Sequence, residues 1–227
     1  MIIKVCGMRE PENLRDVEML DVDCLGFIFY DKSPRYVPEN REYIEVISHC
    51  EKNKVGVFVN ETIEKMLYIC NLFRLNFLQL HGNEPPEVCF ALREKGYVVI
   101  KSFSIAPAAD FTHSLAQTSN LQQSAAPAAC MLQTECYQNC CDYFLFDTTY
   151  VGYGGSGKRF DWSLLDGYQG DTPFLLSGGL TPDNAADIKR FKHPQFAGID
   201  LNSGFELYPA MKDVCKLKQF IRKVRQD

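Results

Sequence analysis

The chain has 227 residues, 46% hydrophobic and 23% charged, enough apolar material for a substantial core without staples. Its 24 basic residues against 29 acidic ones give a net charge of −5, which argues against a nucleic-acid partner. No apolar run approaches the roughly 18 residues that span a bilayer, so no membrane partner is expected.

The opening residues MIIKVCGMREPEN have no basic region followed by a long apolar stretch, so no export signal and a cytoplasmic location are expected. That setting makes the ten cysteines free thiols rather than a disulfide framework. The group Cys130, Cys136, Cys140 and Cys141 contains no C-x₂-C pair, so no metal site is expected there.

Short Val-, Ile-, Leu- and Phe-rich runs recur along the chain: IIKVC, CLGFIF, KVGVFV, NFLQLH, YVVIKSF, YFLFDT, PFLLSG and FAGIDL. Amphipathic stretches lie between them. PENLRDVEML carries Leu14, Val17, Met19 and Leu20 at helical spacing, and ETIEKMLYICNLF carries Ile63, Met66, Leu67 and Cys70 on one stripe. TPDNAADIKRF opens with a Thr N-cap, a Pro at the first helical position and an acidic first turn. DVCKLKQFIRKVR starts acidic and ends basic, which suits the helix dipole.

Strands alternating with helices imply parallel pairing through crossovers, and nearly continuous apolar strands imply cover on both faces. Eight such units predict an α/β fold, a single-domain (β/α)8 barrel over residues 1–227. The alternative is an open doubly wound sheet, but no G-x-G-x-x-G follows the first strand. An irregular extended segment, rich in Ala, Ser, Gln and Pro, interrupts the rhythm at about 104–135. It reads as a loop followed by a helix from about Ala126 to Asn139, a tolerated surface insertion or, alternatively, a lid.

In such barrels the site lies at the C-terminal ends of the strands. Polar residues and glycines gather there: Cys6-Gly7, YDKSPRYV, Gln79 with His81-Gly82, Asp147, GYGGSGKRF, SGGL and DLNSGFE. The loops after strands six to eight carry Gly154, Gly155, Gly157, Gly178, Gly179 and Gly204, which let backbone N–H groups approach an anion. Together they predict a phosphate site, with Lys158 either adding charge or simply solvated.

Side chains alternate with period two along a strand. Lys4 and Cys6 therefore share one face, as do Tyr143, Leu145 and Asp147. Cys6 and Asp147 can thus point together into the barrel mouth. A thiol serves as a base if nearby positive charge lowers its pKa, and a carboxyl serves as an acid near neutrality if burial raises its pKa. Taken singly, Cys6 is also compatible with packing and Asp147 with a loop cap.

The segments KVCGMREPENL, LGFIFYDKSPRYV, VGVFVNE, LQLHGNE, FLFDTTYVGYGGSGKRFDWSLL, PFLLSGGLTPDN and GIDLNSGFE resemble, in order and over nearly the whole chain, the phosphoribosylanthranilate isomerase family. The resemblance implies an Amadori rearrangement of an aminoaldose into an aminoketose in tryptophan biosynthesis. It implies a small-molecule phosphorylated substrate, no metal or organic cofactor, and a monomer or homodimer. It implies Asp147 as general acid, Cys6 as general base, and Arg35 of SPRYV facing the anthranilate carboxylate. The expected substrate-binding set adds Gly155, Ser156, Gly157, Gly178, Gly179, Asn202 and Ser203 of the glycine-bearing loops, and His81, which at its strand end either lines the site or is a structural histidine bonded to a loop.

Two features depart from the family pattern: the 104–135 stretch exceeds the usual link, and Asn202-Ser203-Gly204 stands where Ser-Ser-Gly is common. Trp162 reads as packing beneath the phosphate loop and Asp200 as a polar residue of the barrel interior. The alternatives are the related aminoaldose isomerase of histidine biosynthesis, which has a carboxylate where this chain has Cys6, and a non-catalytic phosphate-ligand-binding barrel.

Overall fold

Period-two alternation governs how each strand is used. On β1 (Ile2–Val5), Ile3 and Val5 turn outward into the main core, while Lys4 faces Asp200 inside the barrel. The computed structural model describes residues 1–105, 133–148 and 161–226. β2 (Cys24–Ile28), β3 (Asn53–Phe58), β4 (Phe77–Leu80), β5 (Val98–Ile105), β6 (Tyr143–Thr148), β7 (Phe174–Leu176) and β8 (Phe196–Leu201) follow in order, all parallel. β8 pairs back onto β1, with Lys4 opposite Asp200, so the barrel closes and the open-sheet alternative falls away.

Helices α1 (Pro11–Glu18), α2 (Arg41–His49), α3 (Ile63–Phe73), α4 (Pro86–Glu94), α5 (Ala185–Arg190) and α6 (Val214–Arg225) lie outside the strands. Asn40, Thr62 and Asp213 cap the first turns of α2, α3 and α6 through side-chain oxygens. A 3₁₀ turn, Pro182–Asn184, precedes α5, and Asn184 Oδ1 accepts from the Thr181 N–H at 2.8 Å. Thr181 therefore starts this element as its sequence predicted, with a tighter first turn. A second 3₁₀ helix, Trp162–Gly167, lies between β6 and β7.

The main core fills the space between strands and helices. Part of it is aromatic: Phe103, Phe144, Phe146 and Phe174 meet edge-on or tilted at 5.0 to 6.4 Å between ring centroids. Inside the barrel, Cys24, Val55, Ile100, Leu145 and Leu175 form a smaller apolar plug. Above it the interior turns polar.

Two expectations about the interrupted region need correction. Ser104 and Ile105 are strand rather than loop, because they continue the β5–β6 ladder opposite Asp147 and Thr148. The predicted helix does not reach Asn139. Helical geometry ends at Glu135, and 136–140 is a series of turns in which the Tyr137, Gln138 and Cys140 N–H groups bond three residues back. Asn139, at φ 65°, sits in the left-handed region within these turns, before β6. Residues 106–132, including Cys130 and the start of that helix, lie outside the described residues.

The β4–α4 loop, which carries His81, is gripped from below. Lys101 on β5 donates to the Gly82 carbonyl at 2.6 Å and to Glu84 Oε2 at 3.1 Å. Glu84 also accepts the backbone N–H of Asn60 at 2.7 Å and of Gly82 at 3.0 Å. Both side chains are almost wholly buried. Deleting one partner of a buried pair leaves an uncompensated charge. Glu84→Ala is expected to lower stability by about 3–5 kcal/mol, measured by urea unfolding. A loss under about 1 kcal/mol would show that water replaces the carboxylate there.

Candidate active site

Side chains at the C-terminal strand ends converge on a cavity of about 350 Å³. Of the sequence-predicted site residues, Cys6, Arg35, His81, Asp147, Gly178, Gly179, Asn202 and Ser203 all line it. Gly154, Gly155, Ser156, Gly157 and Lys158 lie outside the described residues.

Cys6 follows the last residue of β1, and its N–H is held by the Leu201 carbonyl of β8 at 2.8 Å. Its thiol is 3% exposed. Beside it lies the fully buried Lys4 ammonium, which sits 2.9 Å from Asp200 Oδ1. Gly26 on β2 makes room for both groups. A Cβ there would stand 2.9 Å from Cys6 Sγ and 3.2 Å from Lys4 Nζ. Burial pushes the Cys6 thiol up, Lys4 pulls it down, Asp200 pushes it back up and Lys212 pulls it down, and the net direction is up. The condition set from sequence, a lowered thiol pKa, is thus opposed here by desolvation. Asp200 holds Lys4 charged, above its ordinary range despite burial.

Asp147 occupies the inward face of β6 above Leu145, the shared face expected from alternation. Burial raises its carboxyl from 3.8 to about 6, against the pull of the Thr148 N–H at 2.8 Å and the Ser177 hydroxyl. The positive φ of Gly178, +80°, lets that loop pass close by, and any Cβ there would collide with Thr148 and crowd Asp147 Oδ1.

His81 Nε2 lies 3.6 Å from Asp147 Oδ2, too far for a hydrogen bond. Desolvation in the cavity mouth, with Lys101 and Lys4 nearby, lowers its pKa from the ordinary 6.5 although the ring keeps 35% of its surface exposed, so the ring is neutral at pH 7. With the Gln79 amide donating to Nδ1 at 3.0 Å, the ring proton rests on Nε2, the side facing Asp147.

Arg35 comes from the loop after β2. Its Nε and Nη2 pair with Glu206 at 2.9 and 2.6 Å, so one edge of the guanidinium is already engaged. Asn202 Oδ1 is likewise committed, accepting from Lys212 Nζ at 2.8 Å. Gly7, at φ +75°, sits against both, where a Cβ would stand 2.6 Å from Arg35 Cδ and 2.8 Å from Asn202 Oδ1.

The loops after β7 and β8 touch backbone to backbone, since Gly204 presses on the Leu180 carbonyl and a side chain there would not fit. Gly178 and Gly179 are consecutive positive-φ residues, the kind of turn in which successive N–H groups can face an anion. Asp200 is buried inside the barrel as predicted, and Trp162 packs edge-on against Phe191 at 5.7 Å.

Sequence reasoning did not single out Glu206, Lys212 or Ser177. Glu206 and Lys212 form part of an antiparallel hairpin, β9 (Glu206–Tyr208) and β10 (Met211–Lys212), that follows β8. The only signal for it was a pair of charges flanking a Pro turn.

A family model described as N-(5'phosphoribosyl)anthranilate (PRA) isomerase matches residues 3–223. The N-(5'-phosphoribosyl)anthranilate isomerase of Parabacteroides distasonis is 51% identical over 227 residues, covering 99% of this chain and 93% of that relative. Among solved structures, monomers generated from the dimeric phosphoribosylanthranilate isomerase of Thermotoga maritima superpose with a TM-score of 0.77 at 30% identity, covering 99% of each chain. A phosphoribosyl anthranilate isomerase in complex with reduced 1-(o-carboxyphenylamino)-1-deoxyribulose 5-phosphate gives 0.71 at 31% identity, again over 99% of each chain. With a match from residue 3 to residue 223 and a half-identical relative aligned over nearly all of both sequences, this chain belongs to the N-(5'-phosphoribosyl)anthranilate isomerase family.

Proposed function

We propose that this chain converts N-(5'-phosphoribosyl)anthranilate into 1-(2-carboxyphenylamino)-1-deoxyribulose 5-phosphate, a step of tryptophan biosynthesis. The observation that carries the residue roles is the convergence of Cys6 and Asp147 on one cavity, with burial raising the carboxyl to about 6. Family membership favours this substrate over the histidine-pathway aminoaldose.

Asp147 acts as the general acid. A carboxyl with a pKa near 6 keeps a useful protonated fraction close to neutrality and still gives up its proton readily. It protonates the ribose ring oxygen, and the ring opens to a protonated Schiff base. Cys6, as thiolate, removes the proton from C2, and the electron pair moves into the iminium. The enolamine so formed tautomerises to the ketone. The iminium is the electron sink, so the proton transfers need no metal. Lys4 supplies the positive charge that a buried thiolate requires.

The neutral His81 adds no cation beside Asp147, which preserves the raised pKa of the acid. Arg35 takes the anthranilate carboxylate on the edge that Glu206 leaves open. The glycine loops at 178–179 and 203–204 receive the phosphate, together with Gly155, Ser156 and Gly157. The oligomeric state consistent with this reading is a monomer or a homodimer.

Purified protein, with chelator present, is expected to consume freshly generated phosphoribosylanthranilate, followed by loss of substrate fluorescence. Cys6→Ser and Asp147→Asn should each lower kcat by about 10²–10⁴-fold while remaining folded by circular dichroism. Wild-type turnover in either variant would remove that residue from its role.

The raised carboxyl also makes a stability prediction. The fold binds the Asp147 proton more tightly than the unfolded chain does. Its contribution is therefore favourable below pH 4 and is lost as pH rises through 6. Asp147→Asn removes that loss. Relative to wild type, it should gain on the order of 2 kcal/mol between pH 4 and pH 8 in chemical denaturation. A difference that does not change with pH would contradict the shift.

A further inference from the structure

The β9–β10 hairpin takes no part in closing the barrel. It nonetheless brings two charged side chains across the chain to Arg35, which is 171 residues from Glu206 in sequence. Glu206 is 5% exposed and Lys212 is fully buried. The Glu206 carboxylate accepts Arg35 Nε and Nη2, Lys212 Nζ at 2.7 Å and the Ala210 N–H at 3.2 Å. Burial alone would raise the Glu206 pKa, but Arg35 and Lys212 outweigh it and the net direction is down, so the group stays ionised.

Lys212 is itself fixed from three sides. Its N–H donates to Asn13 Oδ1 at 2.7 Å, its carbonyl accepts Asn13 Nδ2 at 2.9 Å, and its ammonium reaches Asn202. On the opposite flank the aliphatic stem of Arg35 packs on the bare Cα of Gly7.

An arginine at a cavity rim ordinarily has several rotamers, and holding one of them costs entropy when a ligand arrives. Here the fork is immobilised in advance. Two cations share one carboxylate, so the triad keeps a net positive charge beside the cavity. We infer that Glu206, anchored by Lys212, is a positioning residue that presents the open edge of Arg35 to the ring carboxylate of the substrate and so sets selectivity for a carboxylated aglycone. This inference rests on the reading of Arg35 given above.

The test uses two ligands: reduced 1-(2-carboxyphenylamino)-1-deoxyribulose 5-phosphate and its counterpart lacking the ring carboxylate. Calorimetry gives their affinity ratio for wild type, Arg35→Ala, Glu206→Gln and Glu206→Asp. Wild type should favour the carboxylated ligand by about 10–100-fold, the range for one charge-assisted bidentate contact. Glu206→Gln should lose most of that ratio while its affinity for the counterpart changes little. A merely structural role would weaken both ligands equally and preserve the ratio, which would overturn the inference.

Arg35→Ala separates the two levels. If it keeps the full wild-type ratio, the carboxylate assignment of Arg35 fails, whatever Glu206 does. If it abolishes the ratio while Glu206→Gln retains it, only the positioning role fails. Should Glu206→Gln melt below the assay temperature, Glu206→Asp, which keeps the charge but withdraws it by one methylene, should give an intermediate ratio. A wild-type ratio there would overturn the inference as well.

Discussion

The ion pair between Lys4 and Asp200 is the constraint on which the site depends. These residues face each other across the seam where β8 meets β1, 2.9 Å apart and nearly free of solvent contact. Two charges in a barrel interior are expensive to desolvate and persist only because each compensates the other. The pair marks the level at which the apolar plug of Cys24, Val55, Ile100, Leu145 and Leu175 gives way to polar chemistry. Cys6 stands two residues above Lys4 on the same face, so its thiol inherits a cation that burial alone would never supply. Gly26 follows from the same constraint, because any side chain there would push the sulfur and the ammonium apart.

One physical cause tunes the mouth residues in opposite directions. Burial disfavours whichever form is charged. It therefore raises the Asp147 carboxyl to about 6 and, together with Lys101 and Lys4, lowers the partly exposed His81. Two sets of buried charges remain distinct: Lys4 pairs with Asp200 and Lys101 with Glu84, while Arg35 and Lys212 share Glu206. A substrate with a sugar between a carboxylate and a phosphate matches a cavity that offers an arginine on one wall and glycine loops on another.

Much of this was legible in the sequence, because period-two alternation is a local property. It placed Lys4 with Cys6 and Tyr143 with Asp147, and glycine pairs pointed to the turn at 178–179. What it could not reveal was pairing at a distance. Glu206 meets Arg35 across 171 residues through a four-residue link and a very short hairpin, with no apolar pattern to announce it. The extent of β5 was misread for a different reason. The Pro- and Ala-rich stretch after Ile105 obscured an alternation, Phe103 and Ile105, that continues the strand. The thiol pKa was beyond sequence reasoning altogether, since it is a balance between burial, the neighbouring Lys4, and Asp200 and Lys212 from the far end of the chain.

The central claim is that burial in the barrel mouth readies Asp147 to act as an acid near neutrality. Carbon-13 NMR titration of the side-chain carboxyl, assigned by comparison with Asp147→Asn, tests this most directly. The account predicts a midpoint near pH 6. A midpoint near pH 4, the value of an ordinary exposed aspartate, would contradict it.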